Sequence, residues 1–418
     1  MAAPESDGIR PWADLPVEMV DAIVQQLDLF STTRLASVCT SWSTAVATNA
    51  ALPFGTPCLL MTGEEEDDNG ARGDDHEDWS YQLMNLTTER GDSFPALIRD
   101  VQEQWWVGGK DDWLAVVDRY GGARLLNPYT GRQIDLPRTP AAVGPGVTNT
   151  GLGFDRIVVC ATPSDDEGYL VIGMVNDYLL AIARGRDDGW TELRNPDGHP
   201  AGGYKDAVVH KGKVFAVDKS GSIYAWDLQG GACPEPEKLE PPHIDRGEFE
   251  HEGWKLAESA DRRRLLLVWT YGKMVNCRRF KVYGCFDYLE FVAEGARLCE
   301  RDVDAAAGLS DGDAGWSPVS SLGDHSLFLG ANYPFFARVG NQGTSDSDSV
   351  WGMVRPNCIC FAKGHLFQSQ DVDVEVFDLD AEEYQYNPYK LILSNSRHYS
   401  SYQEPIWFRP TLKNYDLE

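Results

Sequence analysis

Enzymes show themselves through particular residue types at particular spacings, and this chain offers the residue types without the spacings. His199, His210, His243, His251, His325 and His365 each stand alone, with no second histidine or cysteine three or four positions away to share a metal. The nine cysteines run from Cys39 to Cys360 without a CxxC pair, an odd, scattered set that argues against a disulfide framework and a zinc site. Reduced, mostly buried thiols are expected. No G-x-S-x-G elbow, H-E-x-x-H, G-x-x-x-x-G-K-[ST] or G-x-G-x-x-G occurs, so nothing linear prepares a serine nucleophile, a catalytic zinc or a phosphate cradle. Gly144-Pro145-Gly146 and Gly151-Leu152-Gly153 lack the third glycine and read as loop. Asp371-x-Asp373 and Asp311-x-Asp313 lack the other ligands of a calcium loop and read as turn or strand-end carboxylates. No catalytic residue, metal or cofactor is expected, although a fold that gathers distant residues around one channel can hold a site that no linear motif reveals.

Charge narrows the partners. The 418 residues carry a formal net charge of -28, and that acidic surface repels phosphate backbones, which disfavours nucleic acid and suits a basic partner surface. The start, MAAPESDGIR, lacks the basic and apolar regions of a secretory signal, and no apolar run is long enough for a membrane span, so a cytoplasmic or nuclear protein is expected. Arg262-Arg263-Arg264, beside the apolar run Leu265 to Trp269, reads as a solvated turn rather than a nuclear signal. Gly63 to Asp78 is dense in like charge, with almost nothing to bury, and is expected as a disordered loop or a solvated hairpin tip.

Two regions would position any function. After a ten-residue N-terminus expected to be disordered, residues 11–50 follow a helical period. Val20, Ile23, Val24 and Leu27 fall at i, i+3, i+4 and i+7 behind Pro16. Leu35, Val38, Cys39 and Trp42 repeat the spacing behind Ser31, a candidate N-cap, and Ser41 starts a third short helix showing Trp42, Ala45 and Val46. Helices this short cannot bury all their apolar surface among themselves, so a spare face remains for a partner. Leu15-Pro16-x-Glu18, then Ile23 and Leu27, Arg34-Leu35, Val38-Cys39 and Trp42 resemble an F-box, the three-helix module that docks on the Skp adaptor of Skp-cullin-F-box ubiquitin ligases. The resemblance implies that Leu15, Pro16, Ile23, Leu27, Leu35, Val38, Cys39 and Trp42 divide between the module's own packing and the adaptor interface. The alternative is a plain helical cap on the following domain.

Residues 51–78 read as linker or acidic loop, and residues 79–418 as a large all-β domain. From Trp79 the pattern becomes short alternating strands broken by turns. Ala207 to His210, Lys213 to Asp218 and Ser222 to Asp227 form a meander with turns at Lys211-Gly212 and Lys219 to Gly221. Trp113 to Pro137 and Gly168 to Leu193 repeat the plan. Asn127, Asp227 and Asp378 mark equivalent strand ends, with one unit between the first two and two between the last two, a step of about 50 residues that suits propeller blades. Six or seven kelch-like blades are expected, although neither the kelch nor the WD signature is present, with the C-terminal WFRPTLKNYDLE supplying an outer strand that closes the ring. Asn127 to Pro137, Asn357 to Phe361, Val376 to Leu379 and Trp407-Phe408-x-Pro410 resemble the KIB-type β-propeller domain of plant F-box proteins, formerly a domain of unknown function, although Asn357-Cys358 departs from that group's glycine-asparagine order.

The two resemblances imply a non-catalytic substrate receptor: the F-box would hold the Skp adaptor, and through it cullin, while the propeller captures an unidentified target protein. A propeller enzyme, or a stand-alone binding propeller capped by helices, is the alternative.

Overall fold

A computed structural model describes residues 12–48 (except 25, 28 and 37), 57–64, 79–85, 91–95, 104–138 (except 119, 129 and 130), 154–163, 168–175, 179–199 (except 186), 201–229, 236–243, 251–281, 284–304, 315–338, 355–364, 372–385 and 406–409. Residues 1–10, most of the acidic stretch up to Asp78, Gly144 to Gly146, Gly151 to Gly153, Asp311-x-Asp313 and His365 lie outside the described residues.

The N-terminal module consists of a 3-10 turn at Trp12–Asp14 and the helices α1 (Val17–Val24), α2 (Leu29–Ala36) and α3 (Thr40–Thr48). Pro16 opens α1, its carbonyl accepting from Met19 N and Val20 N at 2.9 and 3.2 Å. Val20 and Val24, one helical turn apart, are buried with Leu35, Ala36, Trp42, Ala45 and Val46.

The second helix differs from its expected course. It takes in Ser31 rather than starting after it, and it ends at Ala36. There Val38 N–H donates to Leu35 O at 3.1 Å, an i→i+3 bond that tightens the last turn. Val38 and Cys39 therefore sit in the connection, and Trp42 belongs to α3, where Trp42, Ala45 and Val46 form its buried face.

The rest of the described chain is all β. Five four-stranded sheets have the plain form of a propeller blade. They are β25 (Ile406–Phe408) with β1 (Cys58–Glu64), β2 (Trp79–Asn85) and β3 (Gly91–Pro95); β4 (Gln104–Lys110) to β7 (Gln133–Asp135); β8 (Arg156–Ala161) to β11 (Thr191–Glu192); β12 (Tyr204–His210) to β15 (Glu237–Leu239); and β16 (His251–Glu258) to β19 (Trp316–Pro318). These five contrast with the six or seven regular units that the repeat spacing suggests. A further, five-stranded sheet, made of β20 (His325–Leu329), β21 (Phe335–Arg338), β22 (Cys358–Gly364), β23 (Val372–Asp378) and β24 (Glu383–Gln385), runs β21-β20-β22-β23-β24, and it contains a parallel pair, β20 with β22. Between Asp227 and Asp378 lies one complete sheet rather than two. The extra length goes into β17 (Leu265–Lys281) and β18 (Gly284–Arg301), which run far past their neighbours.

From the sheet of β4 onward each sheet shares a buried core with the next, and the last shares one with the first, while β25 contacts β4. One core joins the sheets of β4 and β8; another joins those of β8, β12 and β16. Leu266, Val268 and Leu298 meet Leu327, Ile359 and Phe377, and Leu59 with Trp407 meets Phe328 and Cys360.

Closure is by the C-terminus, on the inner side rather than the expected outer one. β25 flanks β1 and touches β4, and Ile406, Trp407 and Phe408 are all buried, which an outer strand with one wet face does not allow. Cys58 pairs with Phe408, so the first sheet starts within the stretch read as linker.

The meander at β12, β13 (Lys213–Asp218) and β14 (Ile223–Asp227) follows the sequence reading closely. Lys211 and Gly212 have φ of 46° and 75°, the pair of positive values that a two-residue type I′ turn requires. The turns after β5 (Trp113–Asp118) and β13 are built alike. Asp118 Oδ1 accepts from Tyr120 N and Gly122 N, and Asp218 Oδ1 from Ser220 N and Ser222 N.

Candidate functional site

The eight singled-out residues of the helical module fall into three environments. Leu35 and Trp42 belong to its core, with Trp42 Nε1–H donating to Trp12 O at 3.0 Å and so pinning the 3-10 turn to α3. Leu15, Ile23, Leu27 and Cys39 are half-buried against that core, and Pro16 and Val38 are exposed. Trp12, Val17, Met19 and Val38 are 70%, 49%, 53% and 59% exposed, large apolar residues on a module whose core is already filled without them. Exposed apolar residues of this kind suit a protein interface.

Within the propeller, the sequence reading missed a set of polar groups at the ring's inner strands. Lys110, Cys160, His210 and Glu258 stand at or near the ends of β4, β8, β12 and β16, in step with the repeat. Taking the residue at each first-strand end as the marker would have revealed them. β4 itself was missed, because its Gly108-Gly109 pair interrupts the strand pattern. A Cβ at Gly108 would lie 1.9 Å from Ile157 O, so glycine permits this close approach of β4 to β8.

The polar groups bind neighbouring strands together. Lys110 Nζ donates to Cys160 O at 2.7 Å and lies 3.8 Å from the centre of the Tyr333 ring. Arg156 pairs with buried Asp206 at 2.7 Å and donates to Gly330 O at 3.2 Å. Asp206 also accepts from Leu256 N at 2.8 Å, and His210 Nδ1 donates to Glu258 Oε1 at 2.9 Å. The segment between β20 and β21 (Phe335–Arg338) spans these strands: Tyr333 N donates to Gly109 O at 2.7 Å, and Tyr333 OH to Val209 O at 2.9 Å.

Burial dominates the titration here. It lowers the Lys110 pKa against the raising effects of Cys160 and Asp111, and it pushes the Cys160 thiol up to about 12. It also raises Tyr333 well above the ordinary tyrosine value. Lys110 is thus engaged by a carbonyl and an aromatic face, and Cys160 is held as a thiol, so the arrangement fastens strands rather than preparing a nucleophile.

The other singled-out histidines are spread apart. His199 and His243 are exposed, and His325 Nδ1 lies 2.7 Å from Asp324. Among the described residues, no group of three or more histidines, cysteines or carboxylates is placed to hold a metal ion, and no helix is long and apolar enough to cross a membrane. Cys39, Cys160, Cys358 and Cys360 form no disulfide. Asn357, at the position where the family pattern was departed from, has φ 66° and joins three segments. Its Oδ1 accepts from Leu322 N at 2.7 Å, and its Nδ2 donates to Asp380 at 2.8 Å.

Comparison with known proteins joins the two parts. The F-box domain family matches residues 12–50, and the KIB1-4 β-propeller family matches residues 83–386. The chain belongs to the KIB1-4 β-propeller family. The chain is similar to a putative F-box protein of Arabidopsis thaliana, 22% identical over 57% of this chain and 58% of the relative. A second F-box protein of Arabidopsis thaliana is 22% identical over 55% of this chain and 51% of its own length. The chain thus spans a little over half the length of each relative. Among solved structures, the tricorn protease overlaps 73% of this chain and 28% of its own at 11% identity with a TM-score of 0.32. The computationally designed Ika4 protein overlaps 44% of this chain and 88% of its own at 13% identity with a TM-score of 0.23. Both scores are too low to imply a shared fold.

Proposed function

We propose that this F-box propeller is the substrate-recognition subunit of a Skp-cullin-F-box ubiquitin ligase. The helical module docks on the Skp adaptor, and through it on cullin, while the propeller holds a target protein. The observation that carries the reading is that Trp12, Val17, Met19 and Val38 are left exposed on a module that matches the F-box family. Leu15, Ile23, Leu27 and Cys39 are half-buried against the module's core, Pro16 is exposed, and Leu35 and Trp42 lie in the core. The subunit does no chemistry of its own. It raises the target's concentration near the ligase, which is a contribution of proximity. Its place of action is the cytoplasm, the nucleus or both.

Co-purification with a Skp adaptor tests the reading. Val38→Glu with Met19→Glu changes exposed positions only, so the module stays folded, and adaptor affinity falls at least about tenfold because two charges enter an apolar contact. Unchanged adaptor binding in that variant defeats the proposal.

A further inference from the structure

The strands β17 and β18 outgrow their sheet. β16 pairs with β17 only from Leu265 to Gly272, and β19 pairs with β18 only from Cys299 to Arg301. Among the described residues, the nine pairs from Lys273↔Val292 to Lys281↔Gly284 continue beyond as a two-stranded ribbon about 30 Å long. Isolated ribbons of two strands are marginal in water, and each edge presents a row of backbone donors and acceptors ready to pair.

The ribbon's direction is fixed by the inner strands. Phe408, which pairs with Cys58, precedes Arg409, whose N–H donates to Asp111 O at 3.0 Å next to Lys110. The chain arriving from the F-box therefore enters at the end of the ring where Lys110, Cys160, His210 and Glu258 lie. The ribbon departs past His251, the opposite end of β16, where it pairs with Gly272. The chain's entry into the first sheet and the ribbon lie at opposite ends of the inner strands.

The two edges differ in sign. Lys273 to Lys281 on β17 carries Lys273, Arg278, Arg279 and Lys281 without a carboxylate, in a chain of net charge -28. Gly284 to Glu294 on β18 carries Asp287, Glu290 and Glu294. We infer that the β17 edge is the target-docking edge, and that it takes an acidic, extended segment of the target as an added strand. Backbone pairing supplies the affinity and the net positive charge of this strand's sequence the selectivity. A second copy is a poorer occupant. The basic edge of one molecule on the acidic edge of the next is a head-to-tail contact that does not close, and two bodies of charge -28 repel. The inference depends on the ligase reading only in calling the bound segment the target.

The probe is a fluorescein-labelled dodecapeptide of alternating Glu and Val, with a Lys-Val dodecapeptide as control, titrated against the full chain by anisotropy. Expected are saturable binding of the acidic peptide that weakens with salt, no binding of the basic one, and an isotope-edited infrared signature of intermolecular strand pairing. Arg278→Glu with Arg279→Glu weakens binding at least tenfold, and joining Lys273 to Val292 through Asn-Gly abolishes it. The inference is overturned by equal binding of both peptides, by binding that survives the shortened ribbon, or by no binding at all. In the last case the lysines and arginines serve only to keep a bare edge from self-association. A dimer in light scattering that disappears with the shortened ribbon also overturns it, making a second copy the occupant. Adaptor co-purification is measured on the same variants, so loss of the adaptor with peptide binding intact defeats the ligase reading and leaves the ribbon's role standing.

Discussion

Lys110 shows what burial does to a single charge. Its lowered pKa means that the unfolded chain holds the proton more tightly than the folded one, so this group's contribution to stability rises with pH. The rise extends from the folded pKa up to the unfolded lysine value of about 10.4. Lys110→Met should remove that rise, read as a flatter dependence of the urea midpoint between pH 7 and 10. Arg156 and Asp206 behave differently, because each is the other's compensation. Asp206→Ala leaves a guanidinium 13% exposed without its carboxylate and should cost about 3–5 kcal/mol in urea unfolding. The double variant Arg156→Met/Asp206→Ala should recover part of that loss, while Leu256 N–H remains without its acceptor. Thiols report burial directly. Cys160 is held at about 12 and Cys358 at about 11, chiefly by desolvation, so alkylation at pH 8 should spare both in the native chain and label both once it is unfolded. None of these roles is visible in sequence. His210 looked solitary because its partner, Glu258, is 48 positions away.

At the scale of elements, legibility followed locality. The β12–β14 meander was readable to within a few residues, since its turns are set by Lys211-Gly212 and Asp218 to Gly221, within the segment itself. The course of α2 was not, because periodicity carries smoothly across Val38 and Cys39 while the backbone does not. The same limit applied to β17 and β18, whose length was counted as an additional repeat. β25 is the element on which closure turns. Trp407 is 1% exposed, donates Nε1–H to Leu329 O at 2.9 Å and meets Phe328 edge-on at 5.1 Å. Trp407→Ala should therefore cost about 3–5 kcal/mol, measured as a lower thermal midpoint of the propeller, because it removes the contact between the last sheet and the first.

The whole molecule is a helical module joined to one end of a closed ring of sheets, with a ribbon leaving the other end. The sequence by itself determined the local facts: which residues form short amphipathic helices, where strands turn, that the repeat is near 50 residues, and which residues of the module resemble an F-box. These depend on neighbours within one or two turns of chain, where spacing and turn chemistry decide the outcome. Tertiary structure alone decided which of the module's apolar residues stay exposed, that the C-terminal strand closes the ring from inside, and that Lys110, Arg156, Asp206 and Tyr333 brace the inner strands. Those contacts join residues up to about 350 positions apart, as Cys58 and Phe408 show. Their energy comes from burial, a property of the assembled ring that no local spacing records.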